Sequence, residues 1–250
     1  MLDNYGFDLW ADGYDKTVRI SDEEDSYPFA GYKNLLNSIY NAVMGKLDPK
    51  SPAKILDIGI GTGTLACKLY EAGNLLISTK DVDLHPRSFP NGKLHNRPIP
   101  LCKSTKTMRI VSITGIDFSN EMLDISRAKM PNAKLLQHDF SKGLPSELNG
   151  EKFDFIISTY ALHHLADSDK IEFILKLLSH LNDRGKIIIG DICFQNRESL
   201  NKCRINAGDD WDEDEFYVVY SELEAKLLQH CIVEYHKISH CAGILEIETQ

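Results

Sequence analysis

No apolar run in the sequence reaches membrane-spanning length, and its first ten residues, MLDNYGFDLW, are acidic where a leader would be basic and then apolar. A membrane partner and a secretory signal are therefore not expected, and a cytoplasmic location is. The six cysteines (67, 102, 193, 203, 231 and 241) never form Cys-x-x-Cys, which argues against a zinc knuckle or a disulfide framework and for reduced thiols. Basic charge is in deficit: 28 Lys and Arg face 37 Asp and Glu, a net charge of −9. A surface of that sign repels phosphate backbones, so nucleic acid is a disfavoured partner. The acidic stretches SDEEDS (21–26) and DDWDEDE (209–215) read as solvated loops. There is no internal repeat and no low-complexity tract. What remains is an ordinary globular composition, 42% hydrophobic, in a 250-residue chain long enough to bury one sizeable core.

Strand and helix signals alternate along the chain. KNLLNSIYNAVM (33–44) puts Leu35, Leu36, Ile39, Tyr40 and Val43 on one helical face ahead of Gly45. AKILDIG reads as a buried strand, and TGTLACKLYEAG (62–73) as a helix ended by Gly73. RIVSITGIDF is a strand, Ser119 caps a helix over NEMLDISRAKM, and AKLLQHDF and FDFIIST are strands. In ADSDKIEFILKLLSHLNDRG, a stripe of Ile171, Ile174, Leu175, Leu178 and Leu181 predicts a helix. Asp169 and Glu172 form its capping box and Gly185 its stop. KIIIGDICF is a buried strand. SELEAKLLQH is a helix with Ser221 and Glu224 as a second capping box, and CIVEYHKI and GILEIETQ form a terminal antiparallel pair. This order predicts a Rossmann-like α/β fold: a seven-stranded, mostly parallel sheet, helices on both faces and an antiparallel last strand. Residues 74–109 fit poorly, with several prolines and no sustained period.

ILDIGIGTGTL (55–65) raises the functional question, because alternate glycines after a strand let backbone approach a ligand closely. A dinucleotide turn needs G-x-G-x-x-G, but Thr64 stands where the last glycine belongs. A triphosphate loop needs Gly-Lys-Ser/Thr, and no lysine follows. The acidic partner of such a turn lies about 20 residues on, which points to Asp81 or Asp83 if LLIS (75–78) is the second strand. If residues 74–109 are inserted, the partner is Asp117. Insertion is preferred, because GIDFSNEML has strand, acid, cap and helix in succession, whereas NLLISTKDVD runs into prolines.

With its neighbours, D-x-G-x-G-x-G resembles motif I of the class I S-adenosylmethionine-dependent methyltransferases, small-molecule type, and among these the bacterial YrrT-like group. GIDFS, HDF (138–140), FDFIISTYALHHLAD (153–167) and GKIIIGD (185–191) resemble that family's second to fifth strand ends, in order. The resemblance implies S-adenosylmethionine as cofactor. Asp57 would serve its amino group, Gly59, Gly61 and Gly63 its approach, and Asp117 with Phe118 its ribose. Asp139 with Phe140 would serve the adenine, and Ser158 and Thr159 the strand end beneath the methyl group. FDLWADGYDKTV (7–18) is similar to a leading segment that folds over the cofactor, so residues 1–50 are expected to form a helical cap; Tyr14 is its first candidate contact, with Tyr5 and Trp10 beside it. The whole chain is expected to be one methyltransferase domain.

STYALHHL carries no Asn/Asp-Pro-Pro-Tyr/Phe motif and no Pro-Cys pair, so nucleic-acid and protein-amide methylation are not indicated and a small-molecule acceptor is. Tyr160, His163 and His164 are the candidate catalytic residues, since an imidazole near neutrality can take a proton from an acceptor. Adjacent histidines diverge on most backbones, so no metal site is expected from the pair. Trp211, Phe216, Tyr217 and Tyr220 either line a substrate pocket or pack. The competing readings are a catalytically silent cofactor- or partner-binding protein and a nicotinamide oxidoreductase; the latter lacks a visible Tyr-x-x-x-Lys pair.

Overall fold

The structure is a computed structural model that describes residues 18, 21–23, 25–48, 51–78 and 111–250. Its strands are β1 (Ala53–Ile58), β2 (Val111–Asp117), β3 (Lys134–Gln137), β4 (Phe153–Thr159), β5 (Leu181–Phe194), β6 (Val218–Val219), β7 (Cys231–Lys237) and β8 (Ala242–Thr249). The helices are α1 (Tyr32–Met44), α2 (Thr64–Ser78), α3 (Asn120–Lys129), α4 (Asp167–Leu178), α5 (Arg197–Ala207) and α6 (Tyr220–Leu227). They surround one sheet of order β3-β2-β1-β4-β5-β8-β7, with the two-residue β6 beside β5. Strands β1 to β5 pair in parallel; β8 runs antiparallel to both β5 and β7.

Alternation along the strands divides the core into two layers. Ile55, Ile113, Ile157, Ile188 and Ile244 meet Leu35, Ile39, Leu65 and Leu69 on one face. Leu56, Ile58, Ile116, Ile156 and Leu245 meet Phe173, Ile174, Leu177, Leu223 and Leu227 on the other. The chain order reverses between β1 and β4, which opens a crevice at their C-terminal ends, where open α/β sheets bind ligands.

Several boundaries differ from those expected. Gly73 does not end α2, which continues to Ser78. A Cβ at Gly73 would come 2.8 Å from Val111, so this glycine lets the helix lie close on β2 rather than stopping it. Residues 75–78 are therefore helical, and β2 ends at Asp117, so the second strand is the later of the two candidates. Neither capping box forms: α4 starts after Ala166 and α6 after Val219, with no side-chain cap on either. Glu224 accepts a hydrogen bond from the Tyr220 hydroxyl instead (2.6 Å). α4 stops at Leu178, and Gly185 lies within β5. The buried face of α4 is Lys170, Phe173, Ile174 and Leu177, one position removed from much of the expected stripe, because a lysine is drawn inward. The expected Ser119 cap is present, its side chain accepting from Met122 N–H at 3.2 Å. α5 and β6 were not anticipated. Of the expected N-terminal cap, Tyr32–Met44 is helical and packs on the sheet. Among the described residues, no helix is long and apolar enough to cross a membrane.

Candidate active site

The glycine turn is built for backbone approach. Gly59, Gly61 and Gly63 all have positive φ (69°, 53° and 73°), the left-handed region that side chains disfavour. At Gly59 the close approach is explicit, since a Cβ there would sit 2.5 Å from the Ala161 Cβ. The turn after β1 and the loop after β4 thus meet across the crevice.

Asp117 organises this end of the sheet. Its Oδ2 accepts from Gly61 N–H at 2.8 Å and its Oδ1 from Ser119 N–H at 2.9 Å. One buried carboxylate thereby joins β2, the glycine turn and the cap of α3. The Ser126 hydroxyl donates to Gly61 O (2.8 Å) and Lys129 to Thr62 O (2.8 Å), which fixes the turn from the α3 side. Asp57 is almost fully buried one strand over, and among the described residues its Oδ1 has no hydrogen-bond partner. Burial, and then the nearby Asp117 carboxylate, push its carboxyl well above the usual range.

The other expected contacts take varied places. Asp139 is half-exposed and turned to its own chain, accepting from Ser141 N–H (3.0 Å) and Oγ (2.6 Å) and pairing with Lys142 (3.0 Å). Burial works against ionisation there, but these hydrogen bonds prevail and hold the carboxyl below its ordinary value. Phe140 is buried against Phe173, with 5.7 Å between ring centroids. Phe118 is partly buried, and its carbonyl accepts from Gln137. Ser158 is buried and donates to Ile58 O (3.0 Å), tying β4 to β1; Thr159 is half-buried at the strand end. Tyr14 lies outside the described residues, as do Tyr5, Trp10, Asp81 and Asp83.

The loop after β4 gathers the titratable groups. Tyr160 has φ +50°, donates its N–H to Gly190 O (2.9 Å), and packs on Phe29 and Tyr32. His163 is buried, its Nδ1 2.6 Å from Asp191 Oδ1 and its Nε2 3.4 Å from Glu215 Oε1. Asp191 also accepts from His163 N–H (3.2 Å) and Ile192 N–H (2.7 Å). Burial pulls the His163 imidazolium down, yet the Asp191 carboxylate, aided by Glu215, outweighs it and raises the group. Burial would lift the Asp191 carboxyl, and the His163 ring overcomes that, holding it low. Burial and the neighbouring His163 lower His164 to about 3, which leaves a neutral ring. The two imidazoles do not diverge as expected: their centroids are 4.2 Å apart, with His164 Nδ1 4.0 Å from the same Glu215 oxygen. The local fold causes this, because the pair sits in a 3-10 turn, Leu162–His164, pinned by Phe216 N–H donating to His163 O (2.9 Å).

Two partners escaped the sequence reading. Glu215 belongs to a stretch read as a solvated loop, yet its side chain is only 19% exposed and faces the imidazoles. Asp191 was passed over within a strand, although a carboxylate in an apolar run signals a paired, buried group. Of the four C-terminal aromatics, Trp211 stacks on Tyr27 (5.3 Å) and meets Tyr217 edge-on (4.7 Å). Tyr217 shares a short hydroxyl contact with Tyr27, and Tyr220 stacks on Tyr235 (5.3 Å). Phe216 is partly exposed, with the Lys170 ammonium 5.6 Å from its ring centroid.

Lys170 underpins the loop. Its ammonium is buried and donates to Leu165 O (2.6 Å) and Asp167 Oδ1 (3.3 Å). Lys170→Met keeps the stem but leaves that carbonyl without its donor, at a cost of about 1–3 kcal/mol. A lowered midpoint in thermal denaturation is the expected reading; an unchanged midpoint would show that the ammonium does not hold the loop.

The comparisons with known proteins agree with this geometry. A family model described as a methyltransferase domain matches residues 101–185. An uncharacterized methyltransferase of Anoxybacillus flavithermus is 29% identical over 231 residues, covering 90% of this chain and 86% of the relative. One from Bacillus cytotoxicus is 30% identical over 198 residues, covering 78% and 70%. Among solved structures, magnesium protoporphyrin IX methyltransferase from Synechocystis PCC 6803 with bound SAH superposes with a TM-score of 0.62 at 16% identity, covering 97% of both chains. The DhpI–SAH complex gives 0.61 at 14%, covering 98% of this chain and 94% of its own. At those identities the structural matches establish the fold, while the sequence relatives establish the family: the chain belongs to the class I S-adenosylmethionine-dependent methyltransferases.

Proposed function

We propose that this methyltransferase acts on a small-molecule acceptor by in-line displacement, within a single domain that carries an insertion between the glycine turn's helix and β2. The observation that carries the reading is the meeting of the glycine turn with the histidine loop, Gly59 against Ala161. It brings a cofactor cradle and a pair of imidazoles to one crevice with no lysine or arginine in the turn.

The residues fit S-adenosylmethionine. Asp57 Oδ1 is a buried acceptor with no partner among the described residues, suited to an ammonium group. Asp117 supports the ribose and Phe140 an apolar wall, while Asp139 Oδ2, held by the exposed Lys142, suits an adenine amino group. Phe118, Ser158 and Thr159 complete the rim, and Tyr14 is assigned to the methionine end. When bound, the cofactor supplies an activated methyl on a sulfonium, whose dispersing positive charge aromatic faces favour. The chain's own task is to align the acceptor and exclude water. Tyr160, packed by Phe29 and Tyr32, supplies the aromatic wall. His163 and His164, with Glu215, receive the acceptor's nucleophilic atom and ease removal of its proton.

Calorimetric titration with S-adenosylmethionine and with NAD, followed by an S-adenosylhomocysteine assay across small oxygen, nitrogen and thiol acceptors, tests this reading. Binding of S-adenosylmethionine and product formation on at least one acceptor are expected. Binding of NAD alone would reject it, and cofactor binding without turnover on any acceptor would favour a silent binding protein.

A further inference from the structure

His163, His164 and Glu215 offer ligand-type atoms that all lie within 4.8 Å of one another. We propose that these three side chains hold a divalent transition-metal ion of the zinc class at the acceptor end of the crevice. Donors about 2.0–2.1 Å from a tetrahedral ion stand about 3.4 Å apart. His163 Nε2 and Glu215 Oε1 are 3.4 Å apart, His164 Nδ1 is 4.0 Å from the same oxygen, and the three ligand atoms all lie within 4.8 Å of one another, so a turn of the His164 ring brings them toward three corners.

The hydrogen-bond pattern also calls for a cation. With Nδ1 2.6 Å from Asp191 Oδ1, the His163 ring turns Nε2 toward the Glu215 carboxylate oxygen. A cation or a proton between these two atoms satisfies both. A second proton on His163 would satisfy that pair, but would give no reason for a second imidazole to converge on the same oxygen.

The supports are those of a metal centre. A ligating histidine characteristically donates its other nitrogen to a carboxylate, and Asp191 takes that place, its second oxygen fixed by His163 N–H. Two imidazoles and one carboxylate suit zinc and its neighbours rather than magnesium or calcium, and three protein ligands leave a position open. The other grouping of this kind, Glu234, His236 and Glu246, lacks these features: two of its members are exposed, and Glu246 is paired with Lys186.

Binding of the ion does not depend on the acceptor's identity. Its use rests on the reading above: an acceptor hydroxyl or thiol on the open position releases its proton to solvent more readily.

Chelator-treated full-length protein titrated with Zn²⁺, with metal content read by mass spectrometry and Co²⁺ substitution read by visible absorption, tests the site. One ion per chain is expected, with a cobalt spectrum of low coordination number. Asp191→Asn should weaken binding by about 10–100-fold and Glu215→Gln by at least as much, with circular dichroism confirming that both are folded. His236→Gln should bind as the wild type does. No uptake by the folded wild type, affinity unchanged in folded Glu215→Gln, or loss in His236→Gln would each overturn the proposal. Calorimetry with S-adenosylmethionine on the same samples reports separately on the methyl-transfer reading.

Discussion

Asp117→Ala is expected to weaken S-adenosylmethionine binding by about 100–1,000-fold and to lower the stability of the cofactor-free protein as well. The two effects share one carboxylate. In the proposed site it holds the ribose, and in the structure it accepts from Gly61 N–H and Ser119 N–H. Hydrogen bonds to a charged group contribute about 1.5–3 kcal/mol each, and about 1.4 kcal/mol is tenfold in affinity. Alanine leaves the Gly61 amide without that acceptor, so the turn loses its shape before any ligand arrives. Asp117→Asn keeps one acceptor oxygen and should fall between alanine and wild type. Asp81→Ala, at the position that sequence spacing alone would favour, should bind almost as the wild type does. Calorimetry and thermal denaturation of the three variants check the ranking, and a larger loss at Asp81 would refute the assignment.

Asp57→Asn should move stability and binding in opposite directions. Burial and the Asp117 charge raise its carboxyl in the folded protein, whereas in the unfolded chain it titrates at its ordinary value of about 3.9. Between those two values the folded state holds the extra proton, so stability falls as pH rises through that window. Asparagine removes the slope and should stabilise the cofactor-free protein at neutral pH by about 1–3 kcal/mol, the scale of an unsatisfied buried polar group. It also removes the charge offered to the cofactor's ammonium, so affinity should fall by about 10–100-fold. In the wild type, binding should release a proton, and affinity should strengthen with pH across the carboxyl's raised range. Calorimetry in buffers of different ionisation enthalpy measures that proton. A variant both less stable and unaltered in affinity would contradict the assignment.

How much of this was legible in the sequence depended on how local each feature is. The glycine turn, Asp117 with its Ser119 cap and the β4 motif are short runs whose chemistry is contiguous, and they could be read directly. Even the misleading distance from the glycine turn to the carboxylate that holds it was recoverable, because strand, acid and cap follow one another in GIDFSNEML. The Asp191–His163–Glu215 array was not legible, since its members come from β5, the loop after β4 and the approach to β6 and meet only when the sheet forms. Helix ends were misjudged for a related reason. Gly73 looks like a stop, but tertiary contact with Val111 uses it as clearance; Asp169 looks like a cap, but α4 begins earlier, with Lys170 drawn inward to Leu165.

Among the described residues the sheet closes on neither side, and its two edges bear on behaviour in concentrated solution. At one edge β3 exposes Lys134 and Gln137; at the other, β7 exposes Glu234, His236 and Lys237, with Ile232 as its most exposed apolar side chain. A foreign strand adding to either edge would have to strip water from those charges, a device by which open sheets resist edge-to-edge aggregation.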